Sequence, residues 1–489
     1  MELKETPFFT ILLFGLYFPL LGSLSALIIY KLKLLFFYVY YNKNVPVPFS
    51  QFNDLPFVTI QLPLYNEANV VERLLGSATA LTYPKDRYEI QVLDDSTDET
   101  VTLTASLVEK YRSDGFNIEH IRRKIRKDFK AGALAEGLKI ARGDYVAIFD
   151  SDFIVPENFL TKTVHFFTDP KVGMIQARWG YINANDSLLT RLQSTFLNGH
   201  FIIEHTSRNR SGLFFNFNGT AGIWRKKAIL ESGGWQGDTL TEDLDLSYRA
   251  QVNKWKFVFL KDLVCYSELP PTLDAFNGQQ YRWVKGMCEV LVKVLPVIWK
   301  SPVSLRNKVD ATLNLGSGMG YIFSVLITLC AIPVLFLTKE YLDIHYMYLT
   351  LSFIFINCVM IWFYYFIAEA GVRGFTPRTF FYPLLLVIFS IGLSLNGLLA
   401  VIDAVRGKKT SFIRTPKFNN NLRATISCER ALKPFHYLVF LFVAYFITMF
   451  ILIMSSGKLA LLPAFLFFAP SYFWLIFRTV REKILVRSN

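Results

Sequence analysis

The chain has 489 residues, of which 52% are hydrophobic, and its mean hydropathy is +0.31. Lysine and arginine give it a net charge of +13, but they concentrate in loops beside long apolar blocks, which indicates membrane topology rather than nucleic-acid binding. The five cysteines lie far apart without a CxxC pair, so neither a zinc site nor a disulfide framework is predicted. We therefore expect a membrane protein with one inserted soluble domain and no nucleic-acid partner.

The first apolar block, residues 8–30, carries no charge and is long enough to cross a bilayer. It is too long for the core of a signal peptide, and no small-residue cleavage site follows it. We interpret residues 1–41 as a retained transmembrane anchor. A linker that contains Pro and Asn, residues 42–56, follows the anchor.

From residue 57 to residue 265, short apolar strands alternate with helical segments, a pattern typical of βαβ units and a mostly parallel sheet. The predicted strands are Phe57–Leu62, Tyr88–Leu93, Asn117–Ile121 and Tyr145–Phe149. The predicted helices are Glu67–Ala80, Asp98–Ser113 and Ala131–Ala141. Ligands of such sheets bind beyond the carboxyl ends of the strands. We expect the polar segments that begin at Pro63, Asp94 and Asp150 to meet in one crevice.

Asp150 and Asp152 follow directly on the fourth predicted strand. Alternate side chains of an extended segment share a face, so both carboxylates can point into the crevice. Mg²⁺ and Mn²⁺ take oxygen ligands and need few protein carboxylates when substrate phosphates complete the shell. A turn or a helix N-cap is the alternative interpretation. The pattern favours a metal site that holds the diphosphate of a nucleotide sugar.

Two further segments suit a nucleotide. Asp94 or Asp95 could accept hydrogen bonds from a base or ribose, while Asp98 could cap the next helix. Lys130 opens a helix whose small residues allow close backbone approach, and a helix N-terminus attracts phosphate. The alternative for this second segment is a solvated basic turn that includes Arg126.

The Thr-Glu-Asp motif at residues 241–243 precedes an amphipathic helix. Transfer of a sugar to a hydroxyl needs a general base, and we assign that role to Asp243. Thr241 could at the same time cap the helix.

The motif at residues 279–283, Gln-Gln-Tyr-Arg-Trp, is predicted on a helix. Arg282 can pair with phosphate, and Trp283 offers a flat apolar face on which a pyranose can stack. An amphipathic helix at the membrane surface is the competing interpretation, and it is compatible with the first. We group residues 266–310 as this motif and interfacial helices.

Five apolar blocks after residue 305 are candidate spans: 311–337, 346–368, 380–405, 435–454 and 459–477. The basic loop 406–433 and the tail 479–489 should be cytoplasmic, with two crossings within 434–478. A cytoplasmic soluble domain then requires an even number of crossings within 311–405, where three blocks lie. We expect 380–405, which contains Pro383, to re-enter or to lie in the interface. Alternatively, the block that begins near Asn314 runs partly along the surface.

The ordered motifs resemble those of the inverting family 2 glycosyltransferases, most closely the membrane-embedded, cellulose-synthase-like polysaccharide synthases. The resemblance covers roughly residues 55–430. Residues 217–221 are similar to the segment that lines the acceptor's terminal sugar in such synthases. Residues 412–417, FIRTPK, are similar to the gating loop over the nucleotide, in the form typical of mannan- and glucan-synthase-like members. The implied fold is an α/β GT-A domain, a Rossmann-like mixed sheet, that is cytoplasmic and inserted in a multi-pass α-helical membrane protein. We expect no appended cyclic-dinucleotide-binding domain.

The resemblance also implies roles for individual residues. The catalytic pair would be Asp243, as base, and Glu242. The metal ligands for Mg²⁺ or Mn²⁺ would be Asp150 and Asp152. The residues expected around the nucleotide sugar are Glu67, Asp94, Asp95, Lys130, Asp150, Arg282, Arg414 and Lys417. The residues expected around the acceptor are Asn218, Gly219, Thr220, Gln279 and Trp283.

The implied reaction is a single displacement with inversion. It would polymerise a hexose from UDP-glucose or GDP-mannose into a β-linked polysaccharide and couple synthesis to export, which leaves room for an accessory export subunit. The alternative is a nonprocessive enzyme that glycosylates a membrane lipid such as a ceramide or polyprenyl phosphate. The number of spans and the FIRTPK loop favour the polymer. A scaffold or transporter subunit is disfavoured because no charged residue is predicted deep in the spans.

Overall fold

A computed structural model of the chain describes residues 8–341, 344–408 and 432–487. A domain built on one mixed β-sheet lies between a long N-terminal helix and a C-terminal group of helices. Its strands are β1 Val58–Leu64, β2 Tyr88–Asp94, β3 Ile118–Arg122, β4 Tyr145–Ile148, β5 Val172–Tyr181, β6 Gly222–Arg225 and β7 Lys256–Ser267. The loop residues Arg414 and Lys417 lie outside the described residues.

The seven strands pair in the order β3-β2-β1-β4-β6-β5-β7. Strands β1 to β4 run parallel to one another, β6 is antiparallel to both its neighbours, and β5 is parallel to β7. Every residue of β1, β2 and β4 is buried, because helices cover both faces of the sheet. The prediction of a mixed sheet is confirmed.

Helices cover the two faces of this sheet. The three helices predicted here from the alternation of strands and helices in the sequence begin and end within two residues of their predicted bounds. Between residues 150 and 240, where the sequence pattern assigns no element, the structure has β5, β6 and four helices. A π-helical turn, Gly199–His205, joins two of these helices. Including the N-terminal helix, the helices up to the last strand of the sheet are α1 Phe8–Tyr41, α2 Ala68–Thr79, α3 Thr100–Ser113, α4 Phe129–Ile140, α5 Phe159–Thr163, α6 Leu188–Asn198, α7 Thr206–Ser211, α8 Lys226–Glu231 and α9 Glu242–Val252.

Six helical segments of the described residues are long and apolar enough to cross a membrane. The helices after the sheet are α10 Leu273–Lys300, α11 Leu305–Leu315, α12 Met319–Tyr341, α13 Ile344–Arg373, α14 Pro377–Val405, α15 Pro434–Ser455 and α16 Leu462–Arg487. The block expected to be interrupted, 380–405, lies within α14, a continuous helix of 29 residues that contains Pro383 near its start. A short 3₁₀ turn, Gly316–Gly318, separates α11 from α12. The number of crossings within this region stays a prediction.

A buried ion pair fixes the sheet domain to the long helices. Arg208 of α7 and Asp310 of α11 are each 1% exposed, and their charged groups lie 2.5 Å apart. The Arg208 guanidinium also donates to the Tyr30 hydroxyl of α1. Next to this pair, Lys31 of α1 contacts Glu204 of the π-helical turn. Because a buried charge is costly without its partner, these contacts strongly favour one orientation of the domain on α1.

Candidate functional site

A cleft with about 1210 Å³ of empty space opens at the carboxyl ends of the central strands. It is lined by strand ends, by the first residues of α9 and by the middle of α10. The predicted site residues that line it are Asp95, Lys130, Asp150, Asp152, Asn218, Gly219, Glu242, Asp243, Gln279, Arg282 and Trp283. Motifs that are almost 190 residues apart in sequence therefore meet in one cavity, as the strand-end rule predicts.

At one end of the cleft, the turn after β2 presents a carboxylate between two arginines. Asp95 Oδ1 accepts a hydrogen bond of 2.9 Å from Arg123 Nε. The Arg126 guanidinium lies 3.4 Å from the centre of the Tyr65 ring, and both Tyr65 and Arg126 line the cleft. A flat, polar-edged wall of this kind suits a nucleoside base and its ribose.

The neighbouring Asp94 does not line the cleft. It is 1% exposed, and its carboxylate accepts hydrogen bonds from the Ser96 amide and the His120 ring, each at 2.8 Å. Burial alone raises the pKa of Asp94, but these hydrogen bonds outweigh burial and hold the pKa below its usual range. Asp94 therefore stabilises the turn that places Asp95 at the cleft. Glu67, which is also buried, does not line the cleft either.

Lys130 lies at the centre of the cleft. Its Nζ donates to Asp150 Oδ1 at 2.6 Å and to the Gly219 carbonyl at 2.8 Å. Burial lowers the pKa of Lys130, but the charges of Asp150 and Glu242 outweigh it, so the pKa is raised and the amine stays charged. Thr220, predicted to contact the acceptor, is instead buried and accepts a hydrogen bond of 2.8 Å from the Asp150 amide. It positions the β4 end.

The donor set at the end of β4 fits a divalent cation that arrives with a diphosphate. Asp150 and Asp152 both line the cleft. Among the described residues, no group of three or more His, Cys, Asp or Glu could hold a metal ion by itself. Two carboxylates are what Mg²⁺ or Mn²⁺ uses when phosphate and water oxygens supply the remaining ligands.

Asp243 lines the same cleft, next to Gly219. Burial, with the charge of Glu242 acting in the same direction, raises the pKa of Asp243 to about 7, although Lys130 lowers it. Gly219 has a φ of +80°, and a Cβ there would lie 3.0 Å from Asp243 Oδ2, so only glycine fits without strain. The Thr241 side chain makes no capping hydrogen bond with α9. A carboxylate with this pKa can accept a proton near neutral pH.

Helix α10 supplies the remaining wall. Gln279, Arg282 and Trp283 lie three and four residues apart, so they share the face that lines the cleft. Gly286, one turn further on, allows close packing, because a Cβ there would lie 2.5 Å from the Thr241 side chain. The prediction that this motif lies on a helix is confirmed.

The sequence did not predict the residues that hold Asn218 in place. The backbone N–H of Asn218 donates to Gln176 Oε1 at 3.0 Å. In its side chain, Oδ1 lies 3.0 Å from His200 Nε2, and Nδ2 lies 2.7 Å from His205 Nε2. Burial lowers the pKa of His205 well below its usual value, so the ring is neutral and can accept from the asparagine. A signal was present, because His200, Glu204 and His205 are polar residues that flank the apolar run 201–203, where the structure has the π-helical turn.

The fold and the cleft together define a GT-A-like domain. The chain superposes on a mannosyltransferase from Pyrobaculum calidifontis in complex with GDP-Man and Mn2+, with a TM-score of 0.56 at 16% identity, over 80% of this chain and 99% of that one. Residues 59–230 match the profile of glycosyl transferase family 2, and residues 145–368 match that of glycosyl transferase family group 2. The chain therefore carries a family 2 glycosyltransferase domain, which confirms the resemblance found in its motifs.

Curated relatives match about half of the chain. A probable glucomannan 4-beta-mannosyltransferase of Oryza sativa is 43% identical over 261 residues, 52% of this chain and 45% of its own. A glucomannan 4-beta-mannosyltransferase of Arabidopsis thaliana is 42% identical over 263 residues, 53% of this chain and 49% of its own. The chain thus spans about half the length of the curated relatives that it matches.

Proposed function

We propose that the chain is an inverting β-glycosyltransferase that transfers a hexose from a nucleotide sugar to a growing β-linked polysaccharide. The observation that supports this most is the position of Asp243, whose pKa is raised to about 7 and which lines the same cleft as Lys130, Asp150 and Trp283. The names of the relatives and the GDP-Man of the similar structure favour GDP-mannose as donor. UDP-glucose is the second candidate donor.

In the proposed reaction, Asp243 removes the proton from an acceptor hydroxyl as that oxygen attacks the anomeric carbon of the donor sugar. The attack from the side opposite to the diphosphate inverts the anomeric configuration. Lys130 and Arg282, both in the cleft, would face the departing diphosphate and oppose its negative charge. Asp150 and Asp152 would hold Mg²⁺ or Mn²⁺, which supplies Lewis-acid stabilisation of the leaving group when bound. Trp283 would stack against the acceptor ring.

We further propose that synthesis is processive and is coupled to export of the polysaccharide. This proposal is supported by the six long apolar helical segments of the described residues and by the contact of α14 with α10, the helix that carries Trp283. The basic loop 406–433 would place the glycosyltransferase domain in the cytoplasm, where nucleotide sugars are made. An accessory subunit for export is compatible with this arrangement.

A lipid acceptor is the second candidate, and one cavity favours it. A space of about 490 Å³ lies between α6, α10, α12 and α14 and is lined mainly by apolar side chains, among them Phe276, Leu386 and Phe389. Gln280, next to the cleft residue Gln279, also lines it. An apolar chain beside the catalytic cleft would suit a glycolipid acceptor.

The test is transfer from labelled nucleotide sugars by purified protein in liposomes with Mg²⁺ or Mn²⁺. We expect one donor, GDP-mannose first, to label a product, and we expect Asp243→Asn to lose about 10²–10⁴-fold in turnover, the usual contribution of a general base. Asp86→Asn is the matched control, because the Asp86 side chain is 83% exposed, contacts Arg87 and does not line the cleft. Full activity of Asp243→Asn, or no transfer from any donor, would contradict the proposal.

A further inference from the structure

Two polar atoms in the wall of the cleft have no part in the mechanism described above. The indole Nε1 of Trp179 and the hydroxyl of Tyr181 are buried, and neither has a hydrogen-bond partner among the described residues. Both side chains line the cleft. Buried donors without partners are uncommon in folded proteins, so each one calls for an explanation, and a ligand bound in the adjoining cleft would supply the missing partner.

The backbone holds both groups toward the cleft. Trp179 and Tyr181 are alternate residues at the carboxyl end of β5, so their side chains share one face of the sheet. Gly180 between them faces the other way, where a Cβ would lie 2.7 Å from the Tyr266 ring. The Trp179 indole packs against Phe153 and Phe201, with ring centres 5.3 and 5.1 Å apart. The two donors are therefore set in place before a ligand binds.

The order of the strands separates these groups from the nucleotide. Asp95 follows β2, two strands to one side of β4, whose end carries Asp150. Trp179 and Tyr181 end β5, two strands to the other side of β4. Neighbouring strands are about 4.8 Å apart, so each group lies roughly 10 Å from the β4 end, in opposite directions. A donor that extends from Asp95 to Asp150 leaves the β5 end to the acceptor.

We propose that Trp179 and Tyr181 form an acceptor subsite that binds the hydroxyl groups of a pyranose in the β-linked glycan. The indole N–H donates to one hydroxyl oxygen, and the phenol can donate to or accept from another. The subsite rests on the proposed glycosyl transfer, and it deepens that proposal by adding two specificity-determining residues beyond the stacking face of Trp283. A lipid chain would offer these groups no partner.

Tyr181→Phe tests the subsite, since it removes one hydroxyl and keeps the ring. The measurement is initial rate at saturating GDP-mannose with β-linked mannohexaose as the varied acceptor. We expect the KM for mannohexaose to rise about 2–12-fold, the effect of one lost hydrogen bond, with the KM for GDP-mannose and the melting temperature unchanged. Trp179→Phe should act in the same direction, and Tyr181→Phe carries the test if that variant folds poorly.

Tyr88→Phe is the matched control. The Tyr88 hydroxyl is likewise buried without a hydrogen-bond partner among the described residues, but it lies at the start of β2 and does not line the cleft. Its removal should leave both KM values unchanged. An unchanged acceptor KM in Tyr181→Phe, or a rise in the donor KM instead, would overturn the subsite while wild-type transfer upheld the proposed function. A wild-type protein inactive with every donor would overturn the proposed function and the subsite with it.

Discussion

The pH dependence of transfer tests the role of Asp243 quantitatively. Burial, with the Glu242 charge, raises the pKa of Asp243 from 3.8 to about 7. The base must be ionised to accept a proton, so the rate should rise as pH increases through this value. About 9% of the carboxylate is ionised one unit below its pKa and about 91% one unit above, so kcat/KM for GDP-mannose should rise roughly tenfold between pH 6 and pH 8. A carboxylate with an ordinary pKa would give no such rise.

Glu242→Gln shows whether the neighbouring charge contributes to this pKa. The substitution removes a negative charge that raises the pKa of Asp243, so the midpoint of the pH profile should move to lower pH, whatever happens to the maximal rate. The assay is initial transfer by vesicle-reconstituted protein at limiting GDP-mannose across the pH range from 5.5 to 8.5. A profile without a midpoint in this range, or a midpoint that Glu242→Gln leaves in place, would refute the reasoning.

Gly219→Ala should reduce turnover, because a Cβ there would lie 3.0 Å from the Asp243 carboxylate and the residue has a φ of +80°. Gly212→Ala is its control, because Gly212 has a φ of +73° but open surroundings. This control should lose about 1 kcal/mol of stability and no turnover. Equal turnover in the two variants would argue against the close approach of residue 219 to Asp243. Arg208→Met should destabilise the fold by about 3–5 kcal/mol, measured by denaturant titration in detergent, because buried Asp310 loses its closest cation. Adding Asp310→Leu should recover much of that loss, and a double variant no more stable than Arg208→Met would contradict a buried ion pair.

The sequence predicted the parts of the site that follow from strand periodicity. Asp95, Asp150 and their neighbours follow apolar runs whose helical connections require parallel strands, and parallel strands present their carboxyl ends together. The helix with Trp283 was predictable for a similar reason, since its side chains repeat at helical spacing. These features depend on local pattern, which a single sequence records.

Other features depend on contacts that a local pattern does not record. Asp94 and Asp95 are adjacent and chemically identical, and they are told apart by their partners: His120 and Ser96 hold Asp94 away from the cleft, and Arg123 holds Asp95. The insertion of antiparallel β6 between β4 and β5 is a long-range pairing, and it brings Trp179 to the cleft. The continuity of α14 through Pro383 was likewise not evident, because a Pro beyond the first turn of a helix removes a backbone hydrogen bond and usually kinks or ends the helix.

The most direct test of the central claim is the chemical class of the labelled product. Wild-type protein in liposomes would receive labelled GDP-mannose and a divalent cation, and the product would be divided into a high-molecular-weight carbohydrate fraction and an organic-extractable lipid fraction. Label in a polymer that an endo-β-mannanase degrades, absent with Asp243→Asn, is the result that we predict. Label confined to the lipid fraction would contradict the polysaccharide synthase and favour the glycolipid enzyme.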